Sequence, residues 1–76
     1  MRYRKSDWPD WHSCNTVNIS RTGILFQTDQ TLPVNSTLEI CVQFPAAATL
    51  NCQAQVVRSE DKACAVKIRY SRISNR

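Results

Sequence analysis

Seventy-six residues make one domain rather than two, and a chain this short builds only a thin core. Ten Lys and Arg against six Asp and Glu give a net charge of +4, which favours a phosphate-bearing ligand or an acidic partner by long-range attraction. The basic residues are scattered, which argues against genomic nucleic acid as the partner, and no apolar run approaches the length needed for insertion across a bilayer.

Punctuation is sparse. Gly23 is the only glycine, and prolines stand at Pro9, Pro33 and Pro45. In chain order, Met1 to Arg4 predicts a short first strand, and Asp7-Trp8-Pro9-Asp10 a turn. Trp11 to Ile19 predicts one second strand, with Val17 and Ile19 on one face and Cys14 and Thr16 on the other. Ser20 to Gly23 is a tight connection into the apolar third strand, Ile24 to Thr28. Asp29 to Ser36 is a loop.

Thr37 to Phe44 has the clearest alternation, placing Leu38, Ile40, Val42 and Phe44 on one face. Pro45 ends it, because proline has no N–H for the ladder. Ala46 to Thr49 predicts a turn region. Leu50 to Arg58 alternates again, with Leu50, Cys52, Ala54 and Val56 inward. Ser59 to Lys62 is a polar hairpin turn. Ala63 to Tyr70 is the last strand, with Cys64, Val66, Ile68 and Tyr70 inward. Ser71 to Arg76 is expected to be a frayed tail of the single domain 1–76. Six short strands favour an all-β antiparallel barrel or sandwich, and barrel closure removes the edges that such apolar strands expose.

Cys14, Cys41, Cys52 and Cys64 lack Cys-x-x-Cys spacing, so no metal site is expected. The first residues have no apolar secretory core, so four free thiols and a cytoplasmic location are expected. Cys52 and Cys64 fall on inward positions. Cys41 falls on the other face of its strand and is expected to be the more reactive. His12 has no nucleophile or ligand patterned near it, and no Gly-rich phosphate loop or triad is present, so an enzyme is not expected. Trp8 and Trp11 flank a turn and are expected to cover one end of the core. A small basic barrel that binds single-stranded nucleic acid would need aromatics gathered on one exposed sheet face, and here they are spread along the chain.

The segment Asn18-Ile19-Ser20-Arg21-Thr22-Gly23 carries the most chemistry. Gly23 is suited to a positive φ and a close reversal. Asn18 offers amide donors and an acceptor, Ser20 a hydroxyl, and Arg21 a planar cation. Together they suit a guanine edge and a phosphate. They equally suit a capped turn in which Asn18 and Ser20 satisfy local backbone groups.

This segment resembles the Asp/Asn-x-Ser-x-x-Gly signature of PilZ domains. The strand Gly23 to Phe26, the run Leu32 to Ile40, Ala54 to Arg58 and Ala65 to Ile68 are similar to the later strands of that family. The resemblance implies a six-stranded antiparallel β-barrel of PilZ type, no cofactor, and cyclic di-GMP as candidate ligand, with Asn18, Ser20, Arg21 and Gly23 as its contacts. The family's second element, Arg-x-x-x-Arg before the first strand, has no counterpart in these residues. Arg2 and Arg4 are two apart and share a strand face, and Arg58 and Arg69 are further candidate cations. The resemblance leaves two outcomes open. One is a signalling domain with a weak or incomplete cyclic di-GMP site. The other is an interaction module that has kept the fold and binds a protein partner.

Overall fold

The computed structural model describes residues 1–45 and 48–74; of the expected turn region, Ala46 and Ala47 lie outside the described residues. Seven strands form: β1 (Arg2–Lys5), β2 (His12–Ser13), β3 (Thr16–Ile19), β4 (Gly23–Gln27), β5 (Thr37–Gln43), β6 (Thr49–Glu60) and β7 (Ala63–Ser74). They make one antiparallel sheet in the order β2-β1-β5-β6-β7-β4-β3, curled into a half-barrel, with no α-helix among the described residues. The all-β barrel-type architecture is as expected.

The strand count is seven rather than six because the stretch Trp11–Ile19 is not one strand. Ser13 pairs with Arg2 on β1, whereas Thr16 pairs with Phe26 on β4. Between them, the Cys14 N–H donates to Met1 O (3.0 Å) and the Gln27 N–H donates to Asn15 O (2.9 Å). The chain thus changes neighbours at Cys14–Asn15. That step draws the two ends of the sheet towards each other, which leaves few open edges.

The alternating positions form the core. Leu38, Ile40 and Val42 of β5, Leu50, Cys52, Ala54 and Val56 of β6, and Cys64 and Val66 of β7 are buried together with Tyr3, Ile24 and Phe26. Leu32 is fully buried and anchors the long loop from beneath. The same loop is tied to β6 by Asn35 N–H to Val56 O (2.8 Å) and Val56 N–H to Ser36 O (2.9 Å). Phe44 falls one residue past the end of β5 and is exposed, contrary to its place in the alternation.

Three β-bulges break the period of two. Val17 is the extra residue between the pairs Thr16–Phe26 and Asn18–Leu25, Val57 between Val56–Val66 and Arg58–Ala65, and Arg69 between Gln53–Tyr70 and Ala54–Ile68. Each bulge reverses the facing of everything beyond it. Val17 is therefore exposed, not inward with Ile19, and Tyr70 is outward and 63% exposed, not part of the core. Beyond Tyr70, residues Ser71–Ser74 continue β7 paired with Thr49–Cys52, so most of the expected tail is strand; Asn75 and Arg76 lie outside the described residues.

The four cysteines are free thiols, as expected. Cys41 is buried at 7% exposure, with the Arg2 guanidinium 3.9 Å from its sulfur, so the most accessible thiol is the half-buried Cys14 and not Cys41. Burial raises the pKa of Cys14, Cys52 and Cys64, the last to about 11.

Candidate functional site

The motif forms the connection between β3 and β4. Ile19 pairs with Ile24 and closes the hairpin. The Ser20 N–H donates to Gly23 O (2.9 Å), and the Ser20 hydroxyl donates to the same carbonyl (3.2 Å). That hydroxyl oxygen accepts from the Thr22 N–H (3.4 Å) and the Gly23 N–H (3.2 Å). One donor and two acceptor positions are all a serine hydroxyl has. Ser20 is thus fully engaged within its own turn and acts as the turn's internal brace. Across the sheet, the Ile68 N–H donates to Thr22 O (2.8 Å), fixing the turn against β7.

Gly23 has no positive φ, contrary to the expectation for it. Its requirement is proximity. A Cβ built on Gly23 would stand 2.7 Å from the backbone oxygen of Val66. The side chain is missing because β4 and β7 approach too closely here to leave room for one.

The bulge at Val17 turns Asn18 to the outer face, where it pairs with Leu25. The row continues through Ala65 to Arg58, so Asn18 and Arg58 lie on one outer-face row three strand spacings apart, roughly 14 Å. Arg58 is exposed and paired with Glu60 (2.9 Å), a contact worth little in water. Arg21 and Thr22 form the exposed tip, and neither Asn18 nor Arg21 has a side-chain partner among the described residues. Lys67 pairs directly with Gly23 and faces outward, a cation beside the motif that sequence reasoning did not single out. Only the register of β4 against β7, which alternation does not encode, brings it there. The bulged Arg69 lines a shallow depression with Thr37, Gln53 and Gln55 on the same outer face.

Arg2 and Arg4 sit on β1, which is not a ladder neighbour of β3 or β4, and neither makes a side-chain hydrogen bond or ion pair to this turn among the described residues. Both share a face, as their spacing predicts, and that face is covered by Trp11. The Arg4 guanidinium lies 4.6 Å and the Arg2 guanidinium 5.6 Å from the Trp11 ring centre, and Arg4 also pairs with Glu39 at 2.9 Å. β2 pairs with Arg2 and Tyr3 only, so Arg2 lies between two strands while Arg4 is bonded on the β5 side alone.

Trp8 and Trp11, expected to behave alike, do not. Trp8 packs on the core with its ring 6.3 Å from Tyr3 and edge-on to His12 at 4.9 Å. Tyr3 in turn packs at a tilt against Phe26, 5.0 Å between ring centres, and hydrogen-bonds Thr28 Oγ1. Trp11 stands outside, against the arginines. His12 is therefore an aromatic packing residue. Among the described residues no cluster of His, Cys, Asp and Glu is arranged to hold a metal ion.

The arrangement is a rigid, exposed turn carrying amide and guanidinium groups, with cations on the neighbouring strand. No curated protein sequence and no solved structure matches the chain. The family model for the PilZ domain matches residues 2–76, nearly the whole length, and the chain belongs to the PilZ domain family.

Proposed function

We propose that this chain is a cytoplasmic binding module of bacterial signalling that takes up cyclic di-GMP, weakly, at the β3–β4 turn, and that its role is recognition rather than catalysis. One observation carries this: within a PilZ domain, Asn18 and Arg21 stand exposed and uncommitted on a turn already braced by Ser20. Asn18 reads a guanine edge, because an amide offers the paired donor and acceptor that such an edge requires. Arg21 meets a phosphate, aided by Lys67 beside Gly23 and by Arg69. Gly23 lets the ligand approach the backbone. Ser20 holds the turn in shape rather than contacting the base, since its hydroxyl is already saturated.

Without an Arg-x-x-x-Arg element ahead of β1, affinity is expected to be low. Two charge-assisted bonds of the kind an Arg-x-x-x-Arg element supplies are worth roughly 3–6 kcal/mol, or about two to four decades in affinity. Arg4 is engaged by Glu39 and Trp11, and Arg2 lies against the Trp11 ring, so neither stands ready to replace them. That commitment favours the second reading, in which the domain binds a protein partner and the turn serves only the fold.

Calorimetry with cyclic di-GMP separates the two. Binding that weakens in Arg21→Ala and in Lys67→Ala, with the melting temperature unchanged, supports the nucleotide site. Ser20→Ala acts differently: it removes the brace and costs about 1 kcal/mol of stability, a fall of roughly 4–8 °C in melting temperature. No heat and no thermal shift at millimolar cyclic di-GMP would reject the nucleotide reading and leave the interaction module.

A further inference from the structure

The bulge at Arg69 also builds a second surface, on the outer face of β1, β5, β6 and β7. Two cross-strand rows run there. One is Arg2, Cys41, Asn51, Arg72; the next is Arg4, Glu39, Gln53, Tyr70. Trp11 stands over the β1 end of both rows, and Tyr70 and Arg72 close the β7 end. Between them lies a groove of about 460 Å³, bordered by Trp11 and Tyr70 and floored by Glu39, Asn51 and Gln53.

Two aromatic rings outside so thin a core call for a reason. A buried Trp or Tyr contributes more apolar area than almost any other residue, yet Trp11 is 37% and Tyr70 63% exposed. Tyr70 would have been inward had β7 kept its alternation. The bulge takes it out of the core and sets it in the row that leads to Trp11.

The charges select among flat partners. Glu39 is neutralised by Arg4 at 2.9 Å. Arg72 has no ion-pair partner among the described residues, and Arg2, which lies against the Trp11 ring and the Cys41 sulfur, has none either. They mark the two ends of one row, three strand spacings or roughly 14 Å apart. Two aromatic faces, amide side chains between them and a cation at each end match stacked bases on a phosphate backbone. A proline-rich peptide would use the rings and leave the cations idle. A duplex hides the base faces that the rings need.

We propose that this groove binds a short single-stranded nucleic acid, with bases stacked on Trp11 and Tyr70 and phosphates met by Arg2 and Arg72. The site is separate from the β3–β4 turn and stands or falls independently of cyclic di-GMP binding there.

The test is fluorescence anisotropy of fluorescein-labelled dodecauridine and dodecaadenosine at low salt, repeated over a salt series. Saturable binding is expected, weakened about tenfold or more by Tyr70→Ala. The side chain of Tyr70 is outward, so the melting temperature should hold. Trp11→Phe should retain most of the affinity that Trp11→Ala loses, which separates stacking from any structural role. Two contacted phosphates predict a log–log salt slope of about −1.4, and Arg72→Ala should flatten it by about 0.7. Absence of saturable binding, equal affinity in Tyr70→Ala, preference for a duplex of the same length, or displacement of the oligonucleotide by a decaproline peptide or by cyclic di-GMP would each overturn the proposal.

Discussion

Replacing Gly23 by alanine tests why the motif ends in glycine. Two effects oppose each other. Gly23 has an ordinary negative φ, so alanine fits its backbone conformation and should stabilise by about 0.4–1 kcal/mol through a less flexible unfolded chain. Against this, the new Cβ would lie 2.7 Å from Val66 O, a distance that real Cβ atoms essentially never show. The obstacle is backbone, and it cannot swing aside as a side-chain tip would. β4 must draw away from β7 at the Gly23–Lys67 pair, straining the 2.8 Å bond from Ile68 N–H to Thr22 O. Overpacking of this kind costs about 1–3 kcal/mol. The net expectation is a loss of about 1–2 kcal/mol, or roughly 4–16 °C in melting temperature for a domain of this size. Thermal and urea unfolding measure the loss, and amide exchange at Ile68 should accelerate more than in the rest of β7. Gly23→Asn sharpens the test. Were a left-handed conformation the requirement, asparagine would cost clearly less than alanine; with close approach as the cause, it costs at least as much. A melting temperature that stays level or rises in Gly23→Ala would refute the reasoning.

Lys62 holds the strained position in the β6–β7 hairpin, with a φ of 61°, and Lys62→Gly should raise stability by up to about 1 kcal/mol, read as a rise in urea midpoint at unchanged slope. A fall would mean that the lysine side chain contributes more than its backbone costs. Alkaline pH should destabilise the domain through Cys64, which is 1% exposed and whose pKa burial raises to about 11. The folded state keeps that proton longer than the unfolded chain, so its contribution is complete below the unfolded pKa near 8.5–9 and is lost as pH rises through about 11. It amounts to roughly 2–3 kcal/mol, and urea titrations from pH 8 to 11 should show a decline that is smaller in Cys64→Val. An equal decline in that variant would remove Cys64 as the cause.

The core was legible because it follows a simple period. Leu38, Ile40 and Val42, and Leu50 through Val56, alternate in the sequence and alternate in the sheet, since pleated backbone leaves no other choice to a chain with one dry face. The turn at Ser20 to Gly23 was legible in place but not in cause. Sequence reasoning assigns Gly23 a torsional role because torsion is a local property. Its actual constraint is a contact with Val66, forty-three positions along the chain, and depends on a register that no local pattern specifies. The division of Trp11–Ile19 into β2 and β3 was hidden for the same reason. A strand that changes neighbours at Cys14–Asn15 keeps an extended backbone, and its sequence does not record which strand it is bonded to.

The bulges explain why the core could be read and the surfaces could not. A bulge inserts one residue, leaves the residues before it undisturbed and reverses all those after it. Val17 precedes Asn18, Val57 precedes Arg58, and Arg69 precedes Tyr70. The residue delivered to the outer face carries an amide, a guanidinium or an aromatic ring, and for Arg58 and Tyr70 strict alternation from the buried Val56 and Val66 would have turned it the other way. Burial constrains a strand only where it has an inner face to satisfy. Past the last firmly packed positions, such as Val56 and Val66, the sheet loses little by giving up one ladder pair. Register there is therefore not dictated by the core, and it is at these irregularities that a period-two reading fails.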